Sequence, residues 1–303
     1  MRIPGVIHRS EISRLGIEPR QVRRWLASEQ LRSVGTWYIT AEAPDDLVSL
    51  LAVGVRPTCL DAAALYGLFI PLHPGVHVYR PRTSPTSQDR PRTRMAPLRR
   101  RADPHTGELV SVRYRDERLQ ELVFHGPQCR MWPSNDPVPD LSQVLLHSGR
   151  CLPVKKAAAL FESALNKRLI TEGELSGVIG ALPSKVATPL STVRGDAESG
   201  TETTVRWWLE SLRVPVRPQV VIPGVGRVDL LIGNSWIIEC DSRQFHDDPE
   251  QYHRDRARDL RLRAAGYTVT RLTWEQVFLQ WEETEQMLLA VIRRRDHRRR
   301  PAA

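Results

Sequence analysis

Lysine is nearly absent from this chain: only four of its 44 basic residues are lysine, and the others are arginine. Such a bias follows genome composition as readily as function, so arginine richness alone does not identify a partner. Cysteine is scarce too. Cys59, Cys129, Cys151 and Cys240 form no Cys-x-x-Cys pair, which argues against a zinc ribbon or a disulfide framework and for reduced, mostly buried thiols. His73, His77, His105 and His125 show no ligand spacing, so no metal is expected in the middle of the chain. No apolar run approaches the length of a membrane span, no basic amphipathic helix stands out, and the N-terminus lacks a signal-peptide core. The expectation is a cytoplasmic protein with no membrane partner. What remains is a 303-residue chain of net charge +9 with an arginine-dominated stretch at 293–300. It is long enough for two or three cores, and its charge favours phosphate-bearing partners.

The most informative stretch is 224–246, GVGRVDLLIGNSWIIECDSRQFH. Two arms rich in Val, Ile and Leu flank Gly233-Asn234-Ser235, a hairpin signal. With a three-residue loop Ile232 faces Trp236, and counting back sets Asp229 opposite Glu239 and Arg227 opposite Asp241. Alternation then places Arg227, Asp229, Leu231, Ile237, Glu239 and Asp241 on one face, and Val228, Leu230, Ile232, Trp236, Ile238 and Cys240 on the other, core-facing side. Carboxylates held that close repel unless a cation neutralises them, and a hard cation such as Mg²⁺ or Mn²⁺ suits oxygen ligands. The alternative is an ordinary solvated face, and a two-residue loop would break the Asp229–Glu239 pairing.

The run VDLLI…WIIECDSRQFH, with RDRARDLRLRAAGYTVTRLTWEQV at 254–277, resembles the very-short-patch-repair-like endonuclease family of the PD-(D/E)XK restriction-endonuclease fold. Asp229, Glu239, Asp241 and His246 match its site positions, as do Asp255, Arg258, Asp259, Gly266 and Arg271. Ser242 stands where the family has glycine, and Asp241 occupies the place of the general motif's lysine. The resemblance covers roughly the last third of the chain. It implies Mg²⁺ or Mn²⁺ held by Asp229, Glu239 and the carbonyl of Cys240, with Asp241 or Glu202 completing the cluster and His246 as general acid/base. Glu202 also fits a capping box with Ser199, and His246 can equally be an ordinary loop histidine. Arg254 and Arg258 can contact phosphate or pair along their own helix.

At the other end, residues 1–45 read as a winged helix-turn-helix. Ser10 caps a first helix ended by Gly16, and Pro19 opens a second running to about Gln30. Val22, Trp25 and Leu26 make its core stripe, leaving Arg20, Gln21, Arg23 and Arg24 to reach double-stranded DNA. Residues 31–40 read as the wing, around Gly35. Leu15-Gly16 and Thr36-Trp37-Tyr38 resemble the N-terminal domain of AbiEi-type antitoxins, which are repressors of type IV toxin–antitoxin operons. The middle, 46–195, reads as mostly helical and AbiEi-like. It has an open basic arm at 80–101 and a linker at 183–195.

The expected fold class is therefore α/β (α+β): an N-terminal winged helix-turn-helix, a mostly helical middle region, and from 196 to 303 a restriction-endonuclease-like domain with a mixed sheet flanked by helices. The expected function is a DNA-binding, Mg²⁺-dependent endonuclease of repair or foreign-DNA defence. The alternative is a transcriptional repressor or antitoxin with a cognate toxin partner and a silent nuclease-like domain.

Overall fold

The structure is a computed structural model and describes residues 1–80, 94–95, 100–102, 109–111, 120–125, 135–241 and 249–299. It is a mixed α/β protein in two compact units. One holds Met1–Leu160 and Lys167–Thr192; the other holds Phe161–Asn166 and Val193–Ala303. Among the described residues no helix is long and apolar enough to cross a membrane.

The first unit opens with strand β1 (Val6–His8), helices α1 (Arg9–Arg14) and α2 (Pro19–Ala27), and strands β2 (Arg32–Val34) and β3 (Trp37–Ile39). The three strands form an antiparallel sheet in the order β1-β3-β2. Here β1 is an addition to the expected wing. His8, rather than Ser10, caps α1, because its ring accepts the Ser10 amide. Helix α2 starts at Pro19, where a missing N–H costs nothing. It buries Val22 and half-buries Trp25 and Leu26.

Next come α3 (Asp45–Ala52), β4 (Arg56–Pro57), α4 (Cys59–Leu65), β5 (Val76–Tyr79), β6 (Arg94–Met95), β7 (Arg100–Ala102), β8 (Leu109–Ser111) and β9 (Gln120–Phe124). Helices α5 (Leu141–Cys151), α6 (Val154–Asn166), α7 (Glu172–Gly180) and α8 (Ser184–Leu190) follow. The middle region was expected to be mostly helical, yet it contains a sheet of order β4-β5-β9-β6, with β5 and β9 parallel, and a β7-β8 pair. Apart from β5, its strands span two to five residues, too short for alternation to register in the sequence. The basic arm at 80–101 lies mostly outside the described residues. The linker at 183–195 contains α8.

The second unit consists of α9 (Gly200–Ser211), β10 (Val216–Ile222), β11 (Gly226–Ile232), β12 (Trp236–Asp241), α10 (Pro249–Ala264), β13 (Thr268–Thr273), α11 (Trp274–Phe278) and α12 (Trp281–Arg293). Its sheet runs β10-β11-β12-β13, antiparallel except for the parallel β12–β13 pair that α10 connects. Both faces are covered. Leu230, Ile232, Trp236, Ile238 and Cys240 pack with Val205, Trp208 and Leu209 of α9 and with Leu272, Val277 and Leu288. Leu231 and Ile237 pack with Ile222, Val228 and Leu262. Each fully buried Leu, Ile or Val contributes about 1.5–3 kcal/mol. The alternative of an ordinary solvated outer face is not what forms, and one correction follows: Val228, expected beside Leu230, joins the opposite cluster. The arginine-rich end is also anchored. His297 is buried, its carbonyl accepts the amide of Asn234, and the Arg298 carbonyl accepts from the Asn234 side chain.

Candidate carboxylate site on the central hairpin

Strands β11 and β12 pair Ile232 with Trp236, Leu231 with Ile237 and Leu230 with Ile238, so the connection is the three-residue Gly233–Ser235 turn. Gly233 has φ +57, and a Cβ there would stand 2.4 Å from the His297 carbonyl, which excludes other residues. Beyond Leu230 the Asp229 side chain takes over from the ladder: its Oδ2 accepts the Cys240 amide at 2.8 Å. Asp229 is thus fixed beside the strand that carries Glu239.

On the other edge of β11, registered pairs step from Pro218–Leu230 to Val220–Val228, passing over Gln219 and Asp229. Gln219 sits there with φ +53, in the left-handed region that non-glycine residues seldom adopt. Its Nε2 donates to Glu202 Oε2 at 2.7 Å. The Glu202 amide is capped by Ser199 Oγ at 3.1 Å, and Glu202 Oε2 accepts the Glu198 amide at 3.0 Å. Glu202 therefore belongs to the start of α9 while its carboxylate reaches β10. Gln219 was not singled out from the sequence. The available signal was an uncharged polar side chain, beside Arg217, in the otherwise apolar run VRPQVVI.

Glu202 and Glu239 are only 4% and 5% exposed. Burial, and then the charge of Asp229, pushes each carboxyl up to about 7. One aspartate thus acts on two glutamates from two different elements, and three carboxylates converge. Arg258 of α10 opposes the rise at Glu239, pairing with its Oε1 at 2.9 Å, and also donates to the Arg227 carbonyl. Arg271, which lies beside Glu239 in register, holds Asp259 at 3.0 Å. Arg258 is thus turned toward the sheet rather than along its own helix.

Asp241 ends β12 opposite Thr273. Its side chain and that of Arg254 on α10 lie outside the described residues, as does His246 altogether. Cys240 is buried. In the first unit Arg20, Arg23 and Arg24 are exposed on α2, and Gln21 is half-buried.

A second group was missed. Cys59, His77, His125 and Cys151 bring one ligand atom each within 4.8 Å of one another. The expectation of scattered histidines without metal-ligand grouping is corrected. These four come from distant parts of the sequence, so no local motif betrays them.

The chain matches no protein-family model and no curated protein. Among solved structures it is similar to the crystal structure of the RV2827C protein from Mycobacterium tuberculosis, at 13% identity over 67% of this chain and 76% of that one. The TM-score is 0.27, which assigns no fold.

Proposed function

We propose that the second unit is a divalent-metal-dependent deoxyribonuclease and that helix α2 of the first unit binds duplex DNA. The observation that carries this is the convergence of Glu202, Asp229 and Glu239 around the Asp229–Cys240 hydrogen bond. The donor set fits Mg²⁺ or Mn²⁺: it is made of carboxylate oxygens, and burial next to one another is costly for them unless a cation joins them. Asp229 and Glu239 would hold the ion, with the Cys240 carbonyl as a third ligand. Such an ion supplies polarisation of the phosphodiester and a more acidic bound water.

The remaining residues position. Gln219 and the Glu198 amide fix the orientation of the Glu202 carboxylate, leaving it ready to orient water. Arg258 shields Glu239 and is placed to turn to a phosphate oxygen when the charge on Glu239 is otherwise met. His246 would exchange the proton with the leaving group. On α2, Arg20, Arg23 and Arg24 carry the sequence-independent contacts to phosphate, and Gln21 faces base edges.

One observation favours a second reading. Glu239 already has a cationic partner in Arg258, which is what a silent, scaffold-like nuclease domain of a repressor or antitoxin would retain. Incubating full-length protein with supercoiled plasmid in Mg²⁺, in Mn²⁺ and in EDTA separates the two. Nicking that needs the metal and disappears in Glu239→Gln supports the enzyme. Intact plasmid under every condition, together with site-specific binding upstream of its own gene, supports the repressor.

A further inference from the structure

Four elements of the first unit deliver two thiols and two imidazoles to one point. Cys59 opens α4 with φ +48, a left-handed conformation that a non-glycine residue adopts only when its surroundings impose it. His77 lies in β5 and is fully buried; its amide donates to Asp61 Oδ2 at 2.6 Å and its carbonyl accepts the Thr58 amide at 2.9 Å. His125 follows β9, tied by its amide to the Val78 carbonyl at 2.9 Å. Cys151 is the last residue of α5. Backbone bonds thus hold His77 and His125 in place before any ion arrives.

The ligand atoms lie within about an ångström of the spacing of a tetrahedral ion. With metal–nitrogen bonds near 2.0–2.1 Å and metal–sulfur bonds near 2.3 Å, the edges of the tetrahedron are roughly 3.3–3.8 Å. His77 Nδ1 lies 3.1 Å from His125 Nε2 and 3.6 Å from Cys151 Sγ, and all four ligand atoms fall within 4.8 Å. Around them stands a supporting layer. The His125 ring stacks on His147 at 5.5 Å, and His147 is held by Thr58 and, at 2.8 Å, by Gln143. The Ser148 hydroxyl and Leu60 amide reach the Cys59 sulfur. The other ring nitrogen of His77, Nε2, is buried with no partner among the described residues. Metal on Nδ1 would fix that nitrogen as the protonated one.

We propose that Cys59, His77, His125 and Cys151 form a Zn²⁺ site that clasps α4, β5, β9 and α5. Two thiolates and two imidazoles in a tetrahedron select zinc over the harder cations, and a full set of four protein ligands marks a structural ion rather than a catalytic one. Cys59 and His77 are buried, whereas Cys151 and His125 are half-exposed, which gives the ion a way in. The site is independent of the carboxylate cluster of the second unit and of whatever that cluster does.

The test uses the full-length chain, purified under reducing conditions and analysed for metal by mass spectrometry. About one zinc per chain is expected, falling below about a tenth in Cys151→Ser and in His125→Ala, while Cys129→Ser and Glu239→Gln keep theirs. Should a variant fail to fold by circular dichroism, the wild type decides alone. Stripped and reloaded with Co²⁺, it should show thiolate-to-cobalt charge transfer and tetrahedral ligand-field bands, and chelation should lower its melting midpoint. Wild-type protein that is isolated without zinc and takes up none when titrated with Zn²⁺ overturns the site. So does a Cys59–Cys151 disulfide in chain isolated without reductant under anaerobic conditions, or full zinc content in folded Cys151→Ser and His125→Ala.

Discussion

Asp229 Oδ2 accepts the backbone amide of Cys240 at 2.8 Å, so a charged side chain completes the β11–β12 ladder at the point where two buried glutamates approach it. Asn at 229 can still accept that amide but brings no charge. Asp229→Asn should therefore fold normally and, on the proposed function, abolish metal-dependent nicking, because the proposed site loses a ligand. In the metal-free protein its second effect is electrostatic. The carboxyls of Glu202 and Glu239, both near 7, should each drop by about one pH unit as the neighbouring anion disappears. Carboxyl-carbon NMR titration reads this directly, and unmoved values would separate Asp229 from the cluster.

Glu202 also links stability to pH. Its folded value, about 7, lies above the ordinary 4.5, so the folded chain keeps a proton that the unfolded chain releases. Stability then falls as pH rises from about 4.5 to about 7, and the penalty is complete above that window. For this one group it is on the order of 3 kcal/mol. Urea unfolding in EDTA across the window should show the decline, and Glu202→Gln should flatten it. A wild-type curve no steeper than that of the variant would show that Glu202 stays ionised throughout. Mg²⁺ should restore stability at the alkaline end.

Helix α2 presents three exposed arginines on the face away from Val22. Replacing Arg20, Arg23 and Arg24 by alanine should weaken duplex binding and flatten its salt dependence by about 0.9 in the log–log slope for each lost phosphate contact. Fluorescence anisotropy from low to physiological salt measures it. A slope equal to the wild type would show that α2 does not contact the phosphate backbone.

The hairpin was legible because its information is local. The Gly233–Ser235 turn and the apolar arms set the register, and the pairing of Ile232 with Trp236 follows from three residues of loop. The site was legible only as far as that register reached. Gln219 enters it through a left-handed residue in β10, a conformation that no composition rule places at glutamine. Glu239 meets Arg258 of α10, whose charged sequence reads as a solvated helix although its Leu262 packs on the sheet. Longer-range partners were invisible. Cys59 and Cys151, or His77 and His125, become neighbours only once short strands and helices far apart in the chain have assembled. The sheet of the middle region was missed for the same reason, because β4 and β6 have two residues each.

The domain boundary follows the same logic and yields the last prediction. Glu162, at the end of α6, belongs with the second unit, although 33 residues of chain separate it from the expected domain start at 196. Its carboxylate is fully enclosed. Arg206, Trp207 Nε1 at 2.9 Å and Thr203 Oγ1 at 2.9 Å all donate to it, while Arg206 also holds Glu210 at 2.9 Å. Both members of the Glu162–Arg206 pair are inaccessible to solvent. Removing Glu162 leaves the buried Arg206 charge with Glu210 alone and two donors unmet, which costs up to about 3–5 kcal/mol. Glu162→Ala should lower stability by that amount, and Glu162→Gln by less, since the amide oxygen still accepts from Trp207 and Thr203. Adding Arg206→Met to Glu162→Ala should recover part of the loss, because the stranded charge is gone. A chain started at residue 196 has the same defect as Glu162→Ala, so its second unit should melt earlier and exchange its α9 amides faster than in the full-length protein. Chemical denaturation and hydrogen exchange of the four proteins check this. If Glu162→Ala unfolds at the wild-type denaturant midpoint, the buried pair is not what secures α9, and the boundary at 196 stands.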